Sequence, residues 1–172
     1  MPLLFGQIRK GVEMPKQETI RITFSLNGKL VETQVQPVLT LLEMLRRNFS
    51  LTATKEGCGK GECGACTLLF NGFPLNSCLK LAATLRPTDS VVTLEGLEND
   101  PLMGRLQKAY VDEGAVQCGF CIPGMVISSY HLLKHHPNPS SAQIKEALSG
   151  NLCRCTGYSK IEQAVVRAAR EK

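Results

Sequence analysis

Gly57-Cys58-Gly59-Lys60-Gly61-Glu62-Cys63-Gly64-Ala65-Cys66 is the stretch on which the fold turns. Three cysteines spaced C-x4-C-x2-C stand among four glycines, and Cys78 follows Cys66 after eleven intervening residues. Glycine tolerates backbone that other residues avoid, so such a loop can curl tightly and aim main-chain N–H groups at the sulfurs it encloses. Working outward, strands are expected on both sides of the loop. Upstream, residues 19–26 alternate with period two, Asn27-Gly28 is a two-residue hairpin signal, and Leu30 to Val35 supplies the return strand. Thr40-x-x-Glu43 is a capping box opening a helix with an apolar stripe at Leu41, Leu42, Leu45 and Phe49. Downstream, Asn71-Gly72 separates Thr67–Phe70 from Phe73–Leu75, and Val91–Leu94 reads as a further strand. A few strands wrapped on one helix make a small α+β layer structure.

The spacing C-x4-C-x2-C…C is that of plant-type [2Fe–2S] ferredoxins, in which amides pointing at sulfur favour the electron-rich state. The competing reading is a zinc site with four thiolates, and the glycine-rich x4-x2 loop argues against it.

Past Gly96–Pro101, which has linker composition, the period becomes helical. Met103, Leu106 and Tyr110 form one stripe, and Val126, Tyr130 and Leu133 a second. Ser140-x-x-Gln143 caps a third helix, and Ile161, Val165 and Ala168 mark a fourth. Four short helices with brief connections suggest a compact bundle. The remaining cysteines lie here, as C-x2-C at Cys118 and Cys121 and C-x-C at Cys153 and Cys155. Their spacing leaves the metal open, because C-x2-C serves zinc and iron alike, although C-x-C is unusual for structural zinc. A thioredoxin-like pair at Cys118 and Cys121 would need a surrounding βαβ pattern, which the sequence lacks. Both pairs are expected at helix N-termini, where free N–H groups and the dipole stabilise negative charge.

The composition narrows the function classes. The chain has 172 residues, 43% of them hydrophobic, with 20 Lys+Arg against 15 Asp+Glu and a formal net charge of +5. The basic residues are scattered rather than interleaved with aromatics, so nucleic acid is not expected as a partner. No apolar run approaches the roughly 18 residues of a membrane span. Met1 to Lys10 lacks a secretory h-region, so the expected compartment is a reducing cytoplasm, where cysteines are metal ligands more often than disulfides. Residues 1–17 read as an N-terminal arm, with Met14 an alternative start. His131, His135 and His136 cluster without an HExxH pattern, and they read as a helix's last turn complementing its dipole. No Ser/His/Asp set, phosphate loop or paired carboxylate stands out, so no substrate site, and no catalytic residue, is expected on this chain.

Three stretches together carry a resemblance: Gly57 to Thr67, Gly114-Ala115-Val116-Gln117-Cys118-Gly119-Phe120-Cys121-Ile122-Pro123-Gly124, and Gly150-Asn151-Leu152-Cys153-Arg154-Cys155-Thr156-Gly157-Tyr158. From about residue 18 to the C-terminus the chain resembles the iron–sulfur subunit of the molybdenum hydroxylases, the xanthine dehydrogenase family. The resemblance implies a β-grasp, plant-type ferredoxin-like domain over 18–95, a linker over 96–102, and a helical [2Fe–2S] domain over 103–172. It further implies two [2Fe–2S] clusters, one on Cys58, Cys63, Cys66 and Cys78 and the other on Cys118, Cys121, Cys153 and Cys155. The implied function is electron relay from a molybdopterin centre on a large subunit to FAD on a medium subunit, in a heterotrimer or a dimer of heterotrimers. The second cluster would lie next to the pterin, with Gln117 in contact with that cofactor and the Cys155 sulfur approaching its amino group. Gln117 could instead brace the cluster loop. Lys60 stands where relatives often carry an acidic residue, and its charge would raise the first cluster's potential slightly. Relatives act on purines, aldehydes, N-heterocycles or carbon monoxide, and one reduces an aromatic thioester. The alternatives are a free-standing two-cluster carrier and a zinc interaction module. Each oxidised cluster with its four thiolates carries about −2, so a loaded chain is nearly neutral.

Overall fold

The computed structural model describes residues 18–171. The expected N-terminal arm, with Met14, lies outside them. The first half is a mixed sheet with a helix across one face. Strands β1 (Ile20–Leu26), β2 (Lys29–Val35), β3 (Thr67–Phe70), β4 (Phe73–Asn76) and β5 (Ser90–Val92) lie in the order β2-β1-β5-β3-β4. β1 pairs antiparallel with β2 and parallel with β5, whereas β3 is antiparallel to both β5 and β4. Both hairpins turn on Asn-Gly with positive φ at each residue, 50° and 79° at Asn27-Gly28 and 50° and 86° at Asn71-Gly72. That is the type I′ geometry whose twist matches the strands.

Helix α1 (Leu41–Asn48) begins where the capping box places it: the Thr40 hydroxyl accepts from the Glu43 amide, and the Glu43 carboxylate accepts from the Thr40 amide. Its face of Leu41, Met44 and Leu45 packs against Ile22, Phe24, Leu26, Leu68 and Val91 of the sheet. Burying one such side chain stabilises by about 2 kcal/mol.

Helix α2 (Pro101–Asp112) starts inside the stretch expected as linker, because Asp100 caps it by accepting the Leu102 and Met103 amides and Pro101 suits a first turn. The residues before it form short 3₁₀ structure at Leu94–Leu97. Helices α3 (Ile122–His135), α4 (Ser141–Leu148) and α5 (Ser159–Arg170) complete the four expected from sequence. α3 is the central one, with ten buried residues, and Ile127, Tyr130 and Leu133 join Leu106, Ile144 and Val165 in the second core. The Tyr110 hydroxyl meets its buried hydrogen-bond need at Ser129 Oγ, 2.9 Å away. β3 is the wall between the two cores: Leu68 belongs to the first and Leu69 to the second. The described residues thus form an α+β fold, a five-stranded mixed sheet crossed by α1 and followed by four more helices.

Candidate metal centres

The loop between α1 and β3 brings Cys58, Cys63 and Cys66 together with Cys78, which follows β4. Main-chain donors converge on the sulfurs as the glycines lead one to expect. The Lys60 and Glu62 amides donate to Cys58 Sγ at 3.4 and 3.3 Å, and the Cys58 amide donates to Cys63 Sγ at 3.3 Å. The amides of Lys60, Cys63 and Glu62 pull the Cys58 thiol down to about 6. Cys78 goes the other way: burial, then its partner Cys66, pushes it up to about 11. A Cβ at Gly57 would come within 2.7 Å of Cys63 Sγ, so glycine is what allows the loop to close on that sulfur.

The second set is built from the α2–α3 and α4–α5 connections. Cys121 is the N-terminal boundary residue of α3, and burial, then the Cys153 thiol, pushes it up to about 12. Cys118 and Cys155 are exposed, with their sulfurs 3.5 Å apart. Burial alone would raise Cys153, yet its thiol is lowered, because the Thr156 hydroxyl and the Thr156 and Cys155 amides donate to it. The expectation that both pairs sit at helix N-termini is therefore met only at Cys121. Cys155 precedes the boundary residue of α5, Tyr158, by a tight turn, and loop amides replace the helix end.

The Cys118 and Cys155 sulfurs lie 3.5 Å apart, and within each half the thiols act on one another: Cys66 and Cys58 raise Cys78, and Cys153 and Cys118 raise Cys121. A zinc site places four sulfurs about 2.3 Å from a single centre. Four thiols in each half, with main-chain amides donating to Cys58 and Cys63 in the first, fit the electron-rich sulfurs of an iron–sulfur cluster. The residues present fit the group.

Sequence comparison agrees half by half. Residues 24–81 match the 2Fe-2S iron-sulfur cluster binding domain family, and residues 93–166 match the [2Fe-2S] binding domain family. The small FeS subunit of nicotinate dehydrogenase from Eubacterium barkeri is 47% identical over 146 residues, covering 85% of this chain and 92% of that one. This chain belongs to the iron–sulfur subunits of the molybdenum hydroxylases. A probable xanthine dehydrogenase subunit from Bacillus subtilis (strain 168) is 42% identical, over 91% of this chain and 88% of its own. Among solved structures, quinoline 2-oxidoreductase from Pseudomonas putida 86 superposes with a TM-score of 0.83 at 41% identity, covering 90% of this chain and 94% of that chain. The iron–sulfur subunit is thus an electron-transfer component of an oxidoreductase, with a ferredoxin-like domain and a helical domain for two [2Fe–2S] clusters.

Other residues singled out in the sequence find their places. Gln117 is exposed beside Cys118. Lys60 lies 3.5 Å from Glu62 in the same loop, with both side chains about two-thirds exposed, so its charge is offset locally. His131 packs between Phe73 and His135, with ring centroids 5.6 and 4.5 Å away. Nothing in the sequence singles out Asn151 beyond its place two residues before Cys153, yet it is 4% exposed and joins the two loops. Among the described residues no helix is long and apolar enough to cross a membrane.

Proposed function

We propose that the iron–sulfur subunit relays electrons from a molybdopterin centre on a large partner subunit, through two [2Fe–2S] clusters, to FAD on a medium partner subunit. Cys118, Cys121, Cys153 and Cys155 would hold one cluster and Cys58, Cys63, Cys66 and Cys78 the other. When bound, each cluster takes up one electron and passes it on.

The observation that carries the reading is the gathering of thiols in each half combined with the unequal exposure of the second set. Cys118 and Cys155 reach the surface together, whereas Cys121 behind them is buried. Around that edge Val116, Phe120, Leu152 and Tyr158 are exposed, with Leu152 at 56%. An apolar rim about a redox edge suits a lasting interface, since a partner lowers the dielectric there and excludes water. A transient carrier would have less use for it. We assign this face to the pterin-bearing subunit, with Gln117 hydrogen-bonding the pterin and the Cys155 sulfur nearest it. The exposed Leu79 and Leu81 lie on the first cluster's side, after Cys78, and we assign that side to the flavin-bearing subunit. The first loop's inward amides hold negative charge on its sulfurs, and the second pair set does so through Thr156. Eight free thiols suit a reducing compartment, so we place the subunit in the cytoplasm, in a heterotrimer or a dimer of heterotrimers.

Metal analysis of the purified chain tests the reading. The expected result is about four irons per chain with visible absorption that dithionite bleaches. A colourless, zinc-loaded protein overturns it. Purification of the native complex then decides between subunit and free carrier: molybdopterin and FAD should co-elute with the chain.

A further inference from the structure

We propose that Asn151 is a positioning residue for electron exchange between the two cysteine loops, an inference that rests on the relay function above. Its carboxamide is buried between the halves and every polar atom is used. Nδ2 donates to the Gly64 carbonyl at 2.9 Å and to Thr67 Oγ1 at 3.2 Å, while Oδ1 accepts from Ser128 Oγ at 2.7 Å. The Gly64 carbonyl can only accept, so the NH₂ must face it and the amide has one workable orientation. Gly64 follows Cys63 of the first loop, Thr67 follows Cys66, Ser128 lies on α3 behind Cys121, and Asn151 itself leads into Cys153. One side chain therefore ties together the segments that carry four of the eight thiols.

The contact is close enough to be specified by glycine. A Cβ on Gly64 would lie 2.3 Å from the Gly150 carbonyl and 2.5 Å from Asn151 Nδ2, and one on Gly124 would lie 2.2 Å from the Gly64 carbonyl. Beside the carboxamide, the Leu152 amide donates to the Cys63 carbonyl at 2.9 Å. Two adjacent attachments, one by side chain and one by main chain, stop the loops from sliding or turning against each other. Cys63 and Cys153 are thereby linked through one hydrogen bond and short stretches of backbone.

Electron exchange depends steeply on separation and on the bonded path between the centres. The step moves one electron: the donor cluster is oxidised by one, the acceptor is reduced by one, and no bond or proton changes. Asn151 acts by fixing the separation. Asn151→Ala removes the side-chain attachment and leaves Ser128 without its acceptor, while the Gly64 carbonyl keeps only its Thr67 donors and the Leu152–Cys63 main-chain bond alone joins the loops, free to shift against each other.

The test uses the full chain carrying both clusters, in Asn151→Ala and Ser128→Ala forms. Iron content and dithionite bleaching are measured first; both should match the wild type. Magnetic interaction between the two reduced clusters, read by electron paramagnetic resonance, should weaken in Asn151→Ala and change less in Ser128→Ala, which keeps both Nδ2 contacts. Intramolecular exchange after pulse reduction should slow by about tenfold or more in Asn151→Ala, as expected when reacting centres are displaced, once measured midpoint potentials are allowed for. Unchanged magnetic interaction and exchange rate in a fully loaded Asn151→Ala protein overturn the proposal while leaving the relay reading intact. A wild-type chain without iron overturns both. If Asn151→Ala does not fold, Asn151→Asp decides, because a carboxylate cannot donate to the Gly64 carbonyl: a weakened magnetic interaction supports the proposal and an unchanged one overturns it.

Discussion

The Tyr158 hydroxyl accepts the main-chain N–H of Cys153 at 2.9 Å, from a residue whose own backbone is left-handed at φ 68°. The same hydroxyl lies 3.4 Å from the Asn151 carbonyl, so it bridges both ends of the short segment that leads into the second cysteine pair. A tyrosine beside a cluster ligand invites an electron-relay role, but this geometry makes it a brace. Removing the acceptor in Tyr158→Phe should lower stability by about 1 kcal/mol, the usual worth of one hydrogen bond, with the ring's packing retained. Urea denaturation checks it, as a lower midpoint at unchanged slope.

How much of this was legible in the sequence follows from the range of each signal. Both Asn-Gly hairpins and both capping boxes are local, and all four stand in the structure. The cysteine spacing is local too, and so is the glycine content that bends the first loop. The parallel pairing of β1 with β5 left no mark, since alternation says which face is buried but not which strand lies alongside. β3 reads as a plain strand, and four residues are too few to show that Leu68 and Leu69 feed different cores. Asn151 was illegible because its partners lie 87, 84 and 23 residues away. The turn before α5 misled for a different reason: a helix beginning soon after Cys155 is visible, but whether its free amides reach the sulfur depends on the turn between them.

Gly64→Ala should be among the most damaging single methyls in the chain. Its φ of 67° disfavours a side chain, and the new Cβ would press on the Gly150 carbonyl and the Asn151 amide, neither of which is a flexible end. Overpacking of this kind costs about 3 kcal/mol, with left-handed strain in addition. Thermal unfolding of the variant beside Gly72→Ala is the check. Gly72 is also left-handed, at φ 86°, but nothing lies within 4 Å of its Cβ position, so the difference between the two isolates the contact.

Acid should weaken the cap of α2. Burial alone would raise the Asp100 carboxyl, but the Tyr130 hydroxyl, the Met103 and Leu102 amides and Lys134 outweigh it and hold the carboxyl below its ordinary 3.8. A carboxyl lowered on folding contributes stability that is fully present above its unfolded value and is lost as pH falls through the folded one. The wild type should therefore exceed Asp100→Ala by about 1 kcal/mol at neutral pH, and the gap should close as pH drops below about 4. Melting temperatures of the two proteins between neutral pH and about pH 3 would show it, and a gap independent of pH would refute it.

Lys60→Glu measures how far a loop charge reaches the first set of thiols. An unpaired cation there would stabilise added negative charge and raise the potential, so its reversal would lower it. Lys60, however, already faces Glu62 at 3.5 Å, and the two side chains are 69% and 65% exposed. Water and salt screen such a pair, whose interaction is worth under about 1 kcal/mol. The reversal also sets two carboxylates side by side, which their exposure allows to swing apart. The expected outcome of a redox titration is a small downward shift at low ionic strength that fades as salt is added. A large shift that persists in high salt would mean that Lys60 faces the sulfurs in the loaded protein rather than Glu62.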